Sequence, residues 1–405
     1  MNDSLTAEEL AGRCARLRQL MAAAGLDACL VTQNVGLYYW SGSMQTGYLF
    51  IPAQGEPTYY VRRSLGRATA ESAVKTAPLR SLRGFEAQLA SDYAELFAAG
   101  RRPTVGADLD VLPAQLYLRL QEALPNLTLR DASAVIRTVR SVKSDYELGR
   151  IQAAAHVAAQ ALDTAFARLQ PGMTELELMA IIEAEMRGGG HIGLMRMRGY
   201  NQEIMTGMVA AGEAAAEPSY FDGPAGGRGL TPAAPQSASR RPILAGEPIL
   251  LDIGCCIDGY TIDQTRTAVI GELDAELERA YDVSVAILRR IESQLRPGAS
   301  PSALYAESLR LADEAGLSDH FMGFGADQVR FLGHGIGLEI DEWPVLARGF
   351  DEPLVPGVVL AIEPKFTFPG RGVVGIENTY VVTTDGYMTL TVSPELLYRL
   401  PAQQI

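Results

Sequence analysis

The 405-residue sequence has no excess of basic residues and no long apolar run. Lys and Arg number 35 against 48 Asp and Glu, so the net charge is −13. Non-specific binding to nucleic acid needs a basic surface, and we therefore exclude nucleic acid as a partner. A membrane span needs about 18 consecutive apolar residues, and none is present. The N-terminus, MNDSLTAEEL, lacks the apolar core of a signal peptide, so we expect a cytoplasmic location.

Cysteine is also scarce. The four cysteines, Cys14, Cys29, Cys255 and Cys256, show no CxxC spacing, which predicts neither a zinc knuckle nor a redox pair. Because cysteine is among the most buried residue types, we expect all four to be buried free thiols.

The first part of the chain alternates between helical and strand patterns. The predicted elements are a helix over 7–24 that Gly25 ends, strands at DACLVT, GYLFIP and PTYYVR, helices near 88–99 and 113–124, and a strand over 104–107. This alternation predicts a compact α/β domain over residues 1–140.

A second region begins after residue 143 with two long helices. Ser144 with Glu147, and Thr174 with Glu177, are capping-box signatures, and each pair opens a helix. The Gly-, Pro- and Ala-rich segment 221–239 predicts a long irregular loop. Loops of this length inside a compact domain are usually functional, so we expect this one to line or cover a pocket.

Two acidic residues flank a predicted hairpin in this second region. Asp258-Gly259 between apolar runs is a strong two-residue turn signal. A turn centred there pairs Ile257 with Tyr260, Gly254 with Asp263, and Asp252 with Thr265. Asp252 and Asp263 then become diagonal neighbours about 7–8 Å apart on one face. A cation between them would offset their repulsion, although a solvated sheet face is the alternative for this pair alone.

A second acidic pair lies near the C-terminus. If the turn is centred on Gly370, Glu363 lies directly opposite Glu377, which is unfavourable unless a positive group is nearby. His334, between two glycines, is the candidate imidazole to join these carboxylates. Such an oxygen-rich set suits Mn²⁺, with Co, Fe and Zn as alternatives.

The order and spacing of these residues resemble a known superfamily. Asp252, then Asp-x-Thr-Arg-Thr from Asp263, then Gly-His-Gly-Ile-Gly, Ile-Glu-Pro and Ile-Glu-Asn-Thr, is similar to the pita-bread metallopeptidases, which include prolidase, aminopeptidase P, methionine aminopeptidase and creatinase. The resemblance covers essentially the whole chain. It implies an α+β protein with a creatinase-like α/β N-terminal domain over 1–140 and a pita-bread catalytic domain over 144–405.

The resemblance also implies roles for individual residues. Asp252 would hold one of two divalent ions, Mn²⁺ being the one we expect, and Asp263 and Glu377 would bridge both. His334 and Glu363 would complete the second ion's ligands and are the predicted catalytic residues. Water activated between the ions would be the nucleophile, and Glu363 would act as general base and acid. A homodimer is a further implication of the resemblance.

Three positions depart from the family pattern. Ser219 and Asp341 stand where family peptidases carry histidines, and Gly375 stands where they carry arginine. The chain has only four histidines, of which His191 could also reach the site. The predicted substrate contacts are Ser219, Tyr220, Asp341, Arg196 and Arg198. Pairing with nearby acids is the alternative for the two arginines.

Three hypotheses for function stay open. The leading one is a dinuclear hydrolase that cleaves a C–N bond, of the Xaa-Pro peptidase or prolidase type. The second is a non-peptidase enzyme on the same scaffold, either a creatinase-like C–N hydrolase or a lyase. The third is a non-catalytic binding protein, against which the complete set of five ligands argues. The expected partner is a small peptide or another small-molecule substrate.

Overall fold

A computed structural model describes residues 5–402 of the chain. These residues form two compact units that divide between Arg140 and Ser141. Within the described residues, no helix is both long enough and apolar enough to cross a membrane.

The first unit is an α/β domain around one sheet. Its elements are α1 (Ala7–Ala24), β1 (Ala28–Val31), α2 (Asn34–Ser41), β2 (Thr46–Pro52), β3 (Thr58–Arg63), α3 (Leu65–Glu71), β4 (Lys75–Pro78), α4 (Phe85–Asp92), β5 (Thr104–Ala107), α5 (Ala114–Ala123), β6 (Thr128–Asp131) and α6 (Ser133–Ser141). The strand order is β4-β3-β2-β1-β5-β6. β2 is antiparallel to β1 and β3, whereas β1, β5 and β6 are parallel.

The predicted helix near 88–99 is wrong in its bounds, because α4 ends at Asp92. Tyr93 turns inward instead, where its ring packs 4.9 Å from that of Phe50 and its hydroxyl lies 2.8 Å from Oγ1 of Thr58. Packing of this aromatic ring against the sheet therefore overrides the local helical pattern.

The second unit combines helices with two sheets and a hairpin. Its elements are α7 (Asp145–Arg168), α8 (Glu175–Gly188), β7 (Gly207–Ala211), β8 (Ile249–Ile257), β9 (Tyr260–Ile270), α9 (Ala275–Glu292), α10 (Pro301–Glu314), β10 (Phe331–Gly335), β11 (Glu342–Ala347), β12 (Val359–Ile362), β13 (Lys365–Phe368), β14 (Gly372–Gly375), β15 (Asn378–Val382), β16 (Tyr387–Thr389) and β17 (Tyr398–Leu400). One sheet has the order β17-β9-β8-β7 and the other β11-β10-β12-β15-β16, while β13 pairs with β14. Helix α7 packs on β8 and β9, α9 on β13 and β14, and α10 on β11.

Both predicted capping boxes are confirmed, at Ser144 with Glu147 and at Thr174 with Glu177. The predicted irregular segment 221–239 contains no helix or strand.

Glu175 anchors the end of that irregular segment. Its fully buried carboxylate accepts hydrogen bonds from the backbone N–H of Ala211 and Ser239, both at 2.8 Å, and from Oγ of Ser239 at 2.6 Å. Three donors replace the water that a buried carboxylate has lost. Glu175 thus joins the start of α8 to β7 and to the end of the irregular segment.

Replacing Glu175 tests this anchor. We expect Glu175→Ala to lower the free energy of unfolding by about 3 kcal/mol, because it leaves three donors without their acceptor in a buried place. Urea unfolding of the full chain measures the change. Glu177→Ala is the matched control on the same helix turn, where the carboxylate accepts at the exposed helix start. Equal losses in the two variants would contradict the anchoring role.

All four cysteines are buried and unpaired, as predicted. Burial raises the pKa of Cys255 to about 12 and that of Cys256 to about 11.

Because only the thiolate reacts, we expect a thiol reagent at neutral pH to label no cysteine in the folded protein and all four after unfolding. Rapid labelling of any cysteine in the folded protein would contradict this.

Candidate metal centre

The β8–β9 hairpin places the first two acidic residues on one face. Asp258 and Gly259 have φ values of 50° and 91°, the positive pair that a type I′ turn requires. The predicted register is confirmed, from Ile257 with Tyr260 through Gly254 with Asp263 to Asp252 with Thr265. Asp252 and Asp263 are therefore the diagonal neighbours expected from the sequence.

The second acidic pair lies where one long hairpin changes from one sheet to another. Ile362 pairs with Asn378 and Lys365 with Gly375, the same register on both sides of Glu363 and Glu377. The two glutamates nevertheless form backbone bonds elsewhere. The N–H of Glu363 donates to the carbonyl of Leu332 at 3.0 Å, and the N–H of Glu377 to that of Thr265 at 3.2 Å. This change of partner links the hairpin to β10 on one side and to β9 on the other.

All five residues predicted as metal ligands meet at this junction. Ligand atoms of Asp263, His334 and Glu377 lie within 4.8 Å of one another, and so do those of Asp252, Glu363 and Glu377. The five side chains therefore form two sets that share Glu377. His334, Glu363 and Glu377 are buried, whereas Asp252 and Asp263 are half-buried.

The sequence interpretation missed a sixth member, Lys365. Its side chain is fully buried, and its Nζ lies 2.5 Å from Oε2 of Glu363, 3.0 Å from Oδ2 of Asp252 and 3.1 Å from Oε2 of Glu377. A signal was available, because side chains two residues apart along a strand point to the same face. Lys365 follows Glu363 by two residues in an extended segment and so could have been placed beside it.

Burial and mutual repulsion shift the pKa values in this cluster. Burial, followed by Glu377 and Asp252, raises the pKa of the Asp263 carboxyl well above its usual value. Burial by itself would lower the pKa of Lys365, but the three neighbouring carboxylates outweigh it and hold that pKa well above its usual value. The ammonium of Lys365 thus contacts the other three carboxylates, whereas Asp263 forms no ion pair with any residue that the structure describes. A further cation beside Asp263 would offset this repulsion.

The set around Asp263 fits a divalent ion. Oε2 of Glu377 accepts from Oγ1 of Thr265 at 2.7 Å and from Lys365, whereas the buried Oε1 has no hydrogen-bond partner among the described residues. His334 Nδ1 lies 3.1 Å from the carbonyl oxygen of Gly335 and must donate to it. The lone pair is then on Nε2, the arrangement that a metal-binding imidazole needs.

The set around Asp252 is different. One oxygen from each of Asp252, Glu363 and Glu377 already contacts the ammonium of Lys365. A positive charge is therefore present at this point, and as arranged these three oxygens do not fit a metal ion.

A cavity of about 60 Å³ opens beside the cluster. Its acidic and imidazole lining comprises Asp222, Asp252, Asp263, His334, Asp341 and Glu363, and the segment Phe221–Gly226 of the irregular loop lines it as well. The volume suits a few water molecules. A dipeptide is larger than this volume.

The predicted substrate residues fall in different places. Asp341 lines the cavity, and its Oδ1 lies 3.5 Å from Nδ1 of His334. Ser219 and Tyr220 line a neighbouring groove of about 640 Å³. Their contacts with substrate remain predictions.

The basic candidates are not among the residues that line the cavity. Arg198 lies 3.5 Å from Glu339, which favours the alternative that this arginine pairs with an acid. Arg196 accepts a backbone bond from Ile340 at its carbonyl. His191 accepts at Nδ1 from the N–H of Cys256 at 2.9 Å, a structural contact with β8, and burial lowers its pKa.

Arg266 holds the backbone of this centre. Its fully buried guanidinium donates to the carbonyls of Thr265 and Glu377, both at 2.8 Å, and to Oδ1 of Asn378 at 2.9 Å. The planar fork of arginine allows several directed bonds at once. Arg266 therefore fixes β9 against the segment that carries Glu377.

Comparisons with known proteins agree with this geometry. Residues 149–384 match the model of metallopeptidase family M24, and residues 13–142 match the creatinase/prolidase N-terminal domain. The chain is 30% identical to the probable dipeptidase PepE of Mycobacterium tuberculosis over an alignment of 406 residues, and this alignment covers 98% of each chain. It is 25% identical to the Xaa-Pro dipeptidase of Pyrococcus horikoshii, over 93% of this chain and 95% of that one.

A crystal structure of the dipeptidase PepE from Mycobacterium ulcerans superposes with a TM-score of 0.80 at 26% identity, covering 98% of this chain and all of the other. These matches confirm the resemblance to the pita-bread metallopeptidases that the sequence indicated. They also confirm the predicted α+β fold class, with a creatinase-type N-terminal domain followed by a pita-bread catalytic domain. The chain therefore belongs to metallopeptidase family M24.

Proposed function

We propose that the protein is a metal-dependent hydrolase that cleaves the peptide bond of short peptides of the Xaa-Pro type, with Mn²⁺ as the expected ion. The observation that supports this proposal most directly is the set of Asp263, His334 and Glu377. The ligand atoms of these three residues lie within 4.8 Å of one another, beside a cavity. Relatives that carry the names dipeptidase and Xaa-Pro dipeptidase support the substrate class.

Each residue of the centre has a distinct task in this proposal. A divalent ion supplies Lewis acidity toward a carbonyl oxygen and lowers the pKa of water. Asp263, His334 through Nε2 and Glu377 would hold that ion. Lys365 donates to Oε2 of Glu363 at 2.5 Å, which leaves Oε1 of Glu363 to take and return a proton. Burial raises the pKa of Glu363 even though Lys365 opposes the shift, and a raised pKa suits a carboxyl that exchanges protons near neutral pH.

The charge of the cavity indicates which end of a peptide it accepts. Asp222 and Asp341 line it in addition to the carboxylates of the cluster, and no Lys or Arg is among its described lining residues. Such a lining attracts a protonated amino group and repels a carboxylate. We therefore propose recognition of the free N-terminus of the peptide, with no requirement for a free C-terminus.

Removing one ligand tests the metal-dependent proposal. We expect Asp263→Asn to lower both Mn²⁺ affinity and dipeptide hydrolysis by at least about 100-fold, because loss of supporting partners alone weakens metal sites by 10–100-fold. Asp258→Asn is the matched control on the same hairpin, since asparagine tolerates the positive φ of the turn. Titration calorimetry and a product assay measure the two effects. Unchanged binding and turnover in Asp263→Asn would remove the basis of the proposal.

Blocking either end of an Xaa-Pro substrate tests the charge argument. N-acetylation should abolish hydrolysis because it removes the positive charge that the carboxylates would hold, whereas amidation of the C-terminus should leave the rate within a few-fold. Comparison of kcat/KM for the three compounds measures this. Slower hydrolysis of the amide with full activity on the acetylated peptide would show the opposite polarity of binding.

One observation favours a second candidate, a non-peptidase C–N hydrolase or lyase. His334 is the only histidine in the described lining of the cavity, since Asp341 and Ser219 occupy the other family positions. Fewer imidazoles leave fewer groups to protonate a leaving peptide amine. Tight Mn²⁺ binding without turnover of any Xaa-Pro dipeptide would favour this candidate.

A further inference from the structure

We propose that the ammonium of Lys365 takes the place of a metal ion at Asp252, Glu363 and Glu377, so that this centre combines one lysine with one divalent ion. The inference rests on the proposed metal-dependent function and specifies its metal content. It replaces the two ions expected from the sequence with one ion and one fixed charge.

The contacts of Lys365 are those of a central cation. Its Nζ lies within 3.1 Å of three carboxylates that come from separate segments of the chain. An ammonium has three N–H donors and no lone pair, so three acceptors satisfy it completely. A metal ion bound to the same three oxygens at about 2.0–2.2 Å would overlap Nζ or be strongly repelled by it. Ammonium and ion therefore exclude each other at this point.

The backbone around Lys365 is shaped for its side chain. Lys365 pairs with Gly375, and a Cβ added at Gly375 would lie only 2.6 Å from Cγ of Lys365. The absence of a side chain at Gly375 thus gives the lysine stem room to pass toward the carboxylates. The carbonyl of Lys365 also accepts the N–H of Met322 at 2.9 Å, which holds the strand in place. These contacts place the ammonium by packing rather than by chance rotation of a surface side chain.

Charge balance is consistent with one remaining ion. The ammonium contacts Oε2 of Glu377, whereas Oε1 of the same carboxylate has no hydrogen-bond partner among the described residues. Glu377 also belongs to the set with Asp263 and His334. Glu377 therefore can join the lysine on one oxygen to a metal ion on the other. With one ammonium and one divalent ion, the four carboxylates are already neutralised to within one unit of charge, so the cluster does not need a second ion for its charge balance.

Counting bound metal tests the inference. The full-length wild-type chain and Lys365→Ala are equilibrated with excess Mn²⁺, and bound metal per chain is measured by elemental analysis after dialysis. We expect Lys365→Ala to bind one ion more than wild type, and Lys365→Ala with Asp252→Asn to lose that additional ion. Lys143→Ala is the matched control, because Lys143 is another buried lysine, paired with Glu342 at 3.0 Å, and its removal should leave the count unchanged.

The outcomes separate the inference from the proposed function. No additional ion in a folded Lys365→Ala chain would overturn the inference, whatever the wild-type count. Absence of Mn²⁺ from the wild type would instead overturn the metal-dependent function, because that count concerns the Asp263 set.

A measurement on the unaltered chain covers the case in which Lys365→Ala does not fold. The electron paramagnetic resonance spectrum of wild type in excess Mn²⁺ should contain the signal of isolated ions and no exchange-coupled pair. A coupled pair would require two ions about 3.5–4 Å apart and would overturn the inference.

Discussion

Four carboxylates share one small space in this protein, and their repulsion is the constraint on which the centre depends. Glu363 and Glu377 are buried, and Asp252 and Asp263 are half-buried, so solvent screens the charges of this cluster only weakly. Cations that neutralise these charges stabilise such a cluster in its ionised form. The chain supplies one cation itself through Lys365, and the set of Asp263, His334 and Glu377 remains suited to a metal ion.

The scaffold meets this constraint by joining two sheets at the cluster. The backbone N–H groups of Glu363 and Glu377 do not bond across their own hairpin. That of Glu363 donates to β10, and that of Glu377 donates to β9. Arg266, buried among carbonyl oxygens, holds the same junction from behind. Because each acidic side chain comes from a different paired segment, their relative positions follow from backbone hydrogen bonding and not from flexible loops. Such rigid support is what a metal or catalytic centre requires.

An irregular loop, in contrast, covers the cavity beside the cluster. The segment Phe221–Gly226 lies over a cavity that is small for a dipeptide, and Glu175 fixes the distal end of this loop at Ser239. An anchored end and an irregular span suit a cover that moves to admit substrate. In the proposed function, the acidic lining orients the peptide with its positive amino group toward the carboxylates.

Local sequence determined much of the centre. Asp258-Gly259 sets a type I′ turn, and alternation of side chains along the strands then fixes which residues share a face, so Asp252 and Asp263 could be paired in advance. The same argument gave the register that sets Glu363 opposite Glu377. Hairpin registers are predictable because they depend only on the turn and on a period of two.

Only the tertiary structure decided what fills the space between these pairs. Which oxygens face each other depends on the hairpin passing between two sheets, and no local pattern encodes that passage. The direction of a lysine side chain depends on whether a facing residue leaves it room, as Gly375 does for Lys365. The sequence therefore predicted a cation beside these acids, whereas long-range packing decided that one such cation is a lysine.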